Sequence, residues 1–156
     1  PCGFYGDGEK ECTCAPFHIQ RYQNKISGPL LDRIDLHIDV PRISFEKLSS
    51  SETGEPSKDI RERVQKAREK QIQRFKKENI TCNAEMSSAL AKKYCSIGED
   101  SKQLLKSAVE QMNLSGRAYY RILKLSRTMA DLAASENINM EHVAEAIGYR
   151  GKRIET

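Results

Sequence analysis

All five prolines of this 156-residue chain, Pro1, Pro16, Pro29, Pro41 and Pro56, lie in its first 56 residues, and the following hundred contain none. Proline fixes φ and removes a backbone donor. The first third is therefore limited to loops, short helices and strand ends, while the rest can be helical almost without interruption. Between them, residues 49–56 (Ser-Ser-Ser-Glu-Thr-Gly-Glu-Pro) hold no apolar side chain and read as a mobile linker. The expected organisation is residues 1–48, a linker at 49–56, a helical bundle at 57–150 and a tail at 151–156.

Before the linker, Ile34-Asp35-Leu36-His37-Ile38-Asp39-Val40 alternates apolar and polar residues without a break. That is the pattern of a strand with one buried face, closed by Pro41. A lone strand cannot satisfy its own backbone, so its partners are expected outside this sequence. After the linker, Ser57 is expected to cap a helix to about Glu78 with Ile60, Val64, Ala67, Gln71 and Phe75 along one face. Further helices are expected from Asn83 through Tyr94, from Glu99 to Met112, after a Ser115 cap to about Ala134, and from Met140 to Ile147 with Gly148 ending it. The class is mainly α, with one strand and short helices in front.

Lys and Arg number 26 against 22 acids, a net charge of +4 that implies nucleic acid only where it is clustered. The cluster is the 57–78 segment. It carries nine cations, among them Lys66, Lys70 and Lys77, against four acids, so its excess is larger than that of the whole chain. It reads either as a DNA-contacting helix or as a solvated one with i,i+4 pairs. No apolar run is long enough to span a bilayer, and no leader suggests secretion. Five cysteines, an odd number, point to reduced thiols in the cytoplasm.

Cys2, Cys12 and Cys14 offer three soft ligands, and His18 follows Cys14 by four residues. Cys3His is an accepted tetrahedral zinc set, so this is either a zinc site or a loop of reduced thiols. Cys82 and Cys95 read as small buried hydrophobes. No GxxxxGK[ST], GxGxxG, HExxH or GxSxG motif is present, so these residues alone are not expected to catalyse anything.

Two arginines stand out. Arg33 follows a Gly28-Pro29 turn and one turn of helix. It can pair locally with Asp32 or Asp35, or its planar fork can reach a phosphate on another molecule. Arg117 opens the Ser115-capped helix, where a cation is mildly unfavourable unless an anion binds nearby. Arg117, Arg121 and Lys124 share one stripe, with Arg127 at its edge; this too can be a plain solvated face.

Together, Pro1-Cys2-Gly3, the Cys12-Thr13-Cys14 pair, residues 22–41 and residues 114–132 resemble the C-terminal part of the magnesium-chelatase-like AAA+ ATPases, the bacterial YifB/ComM group. The resemblance spans nearly the whole chain. It implies that the Walker A and Walker B motifs lie upstream, with Pro1 just after the sensor-1 strand, and that residues 57–150 are the AAA+ lid. It implies that Arg33 is an arginine finger acting on ATP held by the neighbouring subunit, and that Arg117 is the sensor-2 arginine touching ATP. ATP and Mg2+ would then serve the full-length protein, a homo-oligomeric ring remodelling DNA in recombination. A further cysteine preceding Pro1 would complete a four-cysteine zinc cluster. Two other readings stand beside it: a stand-alone basic helical module that binds nucleic acid, and a zinc-dependent adaptor. Nothing in the sequence suits a porphyrin.

Overall fold

The computed structural model describes residues 1–51 and 53–150. Eight α-helices and one 3₁₀ turn are present among the described residues: α1 (Pro16–Gln23), α2 (Gly28–Leu31), α3 (Phe45–Ser49), α4 (Ser57–Arg74), the turn Asn83–Glu85, α5 (Ser88–Tyr94), α6 (Glu99–Gln111), α7 (Gly116–Leu132) and α8 (Met140–Gly148).

The axis of the bundle is α7. Its apolar residues recur at helical spacing, and Ala118, Ile122, Leu123, Met129 and Ala130 are buried. Ser115 caps it, the hydroxyl accepting the Ala118 N–H at 3.1 Å. Helices α4, α5 and α8 and the 3₁₀ turn pack on α7, while α6 packs on α8. Phe75, Leu105, Ile122 and Val143 fill the centre, with Phe75 meeting Tyr94 edge to face at 5.4 Å. The only β pairing among the described residues is one parallel bridge between Ile97 and Ile138. Both α6 and α7 end through left-handed residues that are not glycine, Asn113 (φ 48°) and Ala134 (φ 57°). The Ser135 N–H returns to the Ala130 carbonyl at 2.8 Å, closing α7.

Residues 1–51 contain no buried residue. The alternating 34–40 segment forms no strand, which corrects the expectation. Neither face of the alternation is buried. Ile34, Leu36, Ile38 and Val40 are exposed, Val40 at 84%, Asp35 and Asp39 are exposed as well, and His37 is half-buried. The physical reason is the one that made the strand incomplete: no partner strand is available, so the apolar face has nothing to cover it.

Other boundaries shift. Ser57 is the first helical residue of α4, with Pro56 preceding it as the cap position, and the helix stops at Arg74 where Phe75 turns into the core. Lys76, Lys77 and Glu78 lie beyond it. The stretch from Asn83 breaks in two because Ser87 starts α5, accepting the Leu90 N–H at 3.3 Å. Gly148 is inside α8, and Tyr149 is its cap. Helix α3 reaches Ser49, into the expected linker. The expected tail at 151–156 lies outside the described residues. No helix among the described residues is long and apolar enough to cross a membrane.

Candidate functional site

The site forms where residues 32–37 lie against the start of α7 and the end of α8. Leu31 closes the single turn of α2, which leaves Asp32 facing the bundle. The Ser115 hydroxyl, already an acceptor from Ala118, donates to Asp32 Oδ2 at 2.8 Å. Arg150, only 8% exposed, donates to the other Asp32 oxygen at 3.3 Å and to the Ile34 carbonyl at 2.7 Å. One turn into α7, Arg121 donates to the Arg33 carbonyl and to the Asp35 carboxylate. The His37 N–H donates to the Tyr149 carbonyl at 2.8 Å.

These contacts decide between the readings of the local charges. Asp32 and Asp35 are taken by Arg150 and Arg121, so the surface pairing expected of Arg33 does not occur. The Arg33 guanidinium is exposed and makes no hydrogen bond or ion pair among the described residues. Arg117 stands likewise. Of the four cations on α7, Arg121 holds the 33–35 segment, Lys124 donates to the Ala84 carbonyl at 2.9 Å, and Arg127 is buried. Arg117 is the remaining one, in the first turn beside exposed N–H groups. The α7 stripe is therefore not a uniform solvated face.

Arg127 belongs to a buried polar network at 5% exposure, where the sequence suggested a helix edge. Asp131, 2% exposed, accepts from Arg127 at 3.1 Å, from Arg74 at 2.7 and 2.5 Å, and from Asn83 at 2.9 Å. Arg127 also donates to the Ser135 and Glu136 carbonyls, each at 2.8 Å. Desolvation lowers the Arg127 pKa, opposed by the Asp131 charge. Neither Arg74 nor Asn83 was singled out by sequence; the i,i+4 spacing of Arg127 and Asp131 was the available signal.

Cys2, Cys12 and Cys14 do converge, their sulfurs all within 4.8 Å of one another. The Phe4 N–H donates to Cys2 Sγ at 3.5 Å and the Cys2 N–H to Cys14 Sγ at 3.0 Å. The Phe4 hydrogen bond leads in bringing the Cys2 thiol down to about 7. Cys12 is raised: its hydrogen bond from Cys14 N–H lowers it, but desolvation and the neighbouring sulfurs outweigh that. His18 is not part of the group. It lies exposed on α1, outside the group that the three sulfurs form. Cys95 is buried and burial pushes its thiol up to about 11, as a packed hydrophobe requires; Cys82 is only half-buried.

On α4, Lys66 is paired with Glu62 at 2.7 Å and Arg63 with Glu55 at 2.6 Å. Lys70 and, beyond the helix, Lys77 make no such pair among the described residues. Lys70 borders an open groove lined by Arg74, Lys93 and Arg127. The first half of α4 projects from the bundle, with Ile60 and Val64 exposed rather than on a packed face.

Residues 54–150 match the model of the magnesium chelatase subunit ChlI C-terminal family, and residues 1–48 match that of magnesium chelatase subunit ChlI. The competence protein ComM of Haemophilus influenzae is 42% identical over 151 residues, which is 96% of this chain and 28% of that protein. The uncharacterized protein YifB is 36% identical over 151 residues in both Salmonella typhimurium and Escherichia coli, covering 96% of this chain and 29% of each relative. The chain thus spans less than a third of the length of these relatives.

Proposed function

From the premise that the chain belongs to the magnesium chelatase subunit ChlI family, we propose that it is the lid-bearing part of an AAA+ ATPase and contributes Arg33 and Arg117 to ATP hydrolysis. Arg33 acts as an arginine finger on nucleotide held by a neighbouring subunit, and Arg117 as the sensor-2 arginine on the lid. A finger adds no new bond; its guanidinium offsets charge that develops on the transferred phosphoryl oxygens. The observation that carries this reading is the pairing pattern. Among the described residues, the junction's other cations, Arg121, Lys124 and Arg150, are engaged, while Arg33 and Arg117, which lie close in sequence to the Asp32–Ser115 hydrogen bond, are left open.

Residues 57–150 form the lid and residues 1–48 belong with the nucleotide-binding core, which supplies the phosphate loop, ATP and Mg2+ sites in the full-length protein. Inactive alone, the part described here works within a homo-oligomeric ring, because a finger in trans needs a neighbour. The name of the competence relative, at 42% identity, favours DNA as the substrate and a branch-migration or recombination role. Clustered cations on α4, of which Lys70 is unengaged among the described residues, are compatible with phosphate contact there. Cys2, Cys12 and Cys14 fit three positions of a tetrahedral zinc site, with a sulfur already near half-ionised at neutral pH; zinc there would be structural.

The test is Arg33→Ala in the full-length protein. ATP turnover should fall by roughly 10³-fold while ATP binding persists, whereas Arg117→Ala should weaken both. Unchanged turnover in the Arg33 variant would reject the assignment.

A further inference from the structure

A finger is useful only if its guanidinium arrives at a fixed place. Arg33 lies in a segment with no buried residue, no strand ladder and no packed face. Short-range bonds from the Arg33 and Ile34 N–H groups to the Leu30 and Leu31 carbonyls shape the turn, and the long-range hydrogen bonds that place it all run to residues 115–150. The Arg33 carbonyl is held by Arg121 and the Ile34 carbonyl by Arg150. The preceding side chain, Asp32, is held from two sides by Ser115 and Arg150, and the following one, Asp35, by Arg121. The two peptide units that follow Arg33 are thus gripped, and so are the side chains of Asp32 and Asp35, while the Arg33 side chain itself is left free.

The grip leads to Arg117 by a short covalent path. Ser115 is the cap of α7, and Arg117 is two residues further on. We propose that Asp32, Arg121 and Arg150 are positioning residues that fasten Arg33 to the lid helix bearing Arg117, so that the two guanidiniums move as one body. This inference rests on the function proposed above and adds to it that the placement of Arg33 depends on the lid: wherever the lid carries Arg117, Arg33 goes with it.

The Arg121–Asp35 pair is partly exposed and weak by itself, and the Arg150–Asp32 pair is more buried, but each arginine also holds a backbone carbonyl, so the loss is of geometry. Neither Asp35 nor Arg121 is among the buried residues of the core.

The experiment uses the full-length protein and three variants, Asp32→Ala, Arg121→Ala and Arg121→Lys, with Arg33→Ala as reference. Amide hydrogen exchange across residues 32–37 should quicken at least about tenfold in the first two, and exchange in α7 and α8 should not. In the same variants kcat for ATP should drop at least about tenfold, with KM within about twofold. Arg121→Lys, which can still donate to both oxygens, should restore both the exchange protection and kcat. Normal kcat despite faster exchange, or unchanged exchange, overturns the positioning role while Arg33→Ala remains inactive. Loss of protection throughout the lid also overturns it, since the residues would then be structural. Normal turnover in Arg33→Ala overturns the finger reading itself, and this inference with it.

Discussion

Cys2 shows how far a single side chain is shaped by its immediate neighbours. Its sulfur accepts the Phe4 N–H and lies 3.5 Å from Cys12 Sγ, and the thiol is lowered to about 7. Below that pH it is protonated and unreactive, and above it the thiolate dominates. Alkylation of Cys2 by iodoacetamide, followed by mass spectrometry, should therefore rise through about pH 7 and level off by pH 8. Cys95, buried and raised to about 11, should stay unmodified throughout. Added zinc should suppress the Cys2 reaction above pH 7 and have little effect below it, because the ligand is the thiolate. The spacing of Cys2, Cys12 and Cys14 was enough to expect their convergence, since soft ligands two residues apart commonly point to one centre. His18 was not legible in that way: four residues from Cys14 in sequence says nothing about direction, and the intervening Pro16 starts a helix on which His18 is exposed.

Between elements, the decisive contact is the one joining α4 and the 3₁₀ turn to α7. Asp131 is enclosed by two guanidiniums and the Asn83 amide, and nothing else buried balances Arg74 and Arg127. Asp131→Ala would leave two cations facing each other in the interior, and should cost about 3–5 kcal/mol in urea unfolding. Asp131→Asn, which keeps the shape but removes the charge and turns one of the two accepting oxygens into a donor, should recover only part of that loss. The helices themselves were largely legible: α6 and α7 follow their apolar repeat and the Ser115 cap almost to the residue. What failed was the estimate of which faces are buried. Ile60 and Val64 keep perfect helical phase with Ala67 and Gln71, yet the bundle ends before it reaches them, so only the latter two are covered. Periodicity reports a face, and the length of the neighbouring elements decides how much of that face is used. Residues 34–40 teach the same lesson for strands: alternation is a property of the segment, while burial needs a partner.

At the scale of the molecule, burial is divided unevenly. Every buried residue lies between Ala67 and Arg150, whereas residues 1–51 expose Phe17, Val40 and Phe45, the last at 78%. Prolines confined to the first 56 residues foretold this asymmetry, since they denied that part the long helices from which the bundle is built. Among the described residues, the hydrogen bonds between the two parts all involve residues 32–37, and they contribute mainly fixed geometry. Residues 57–150 produced alone should therefore keep one cooperative thermal transition, at a midpoint no more than about 8 °C below that of the 156-residue chain. Residues 1–48 alone should show no cooperative transition, because no side chain there leaves water far enough to drive one. Calorimetry on the two pieces separates this from the alternative of a single cooperative body, in which cutting at 49–56 would abolish the transition in both. The division also explains why Arg33 is tied to α7. A segment that cannot hold its own shape takes its place from the nearest element that can, and α7 is that element.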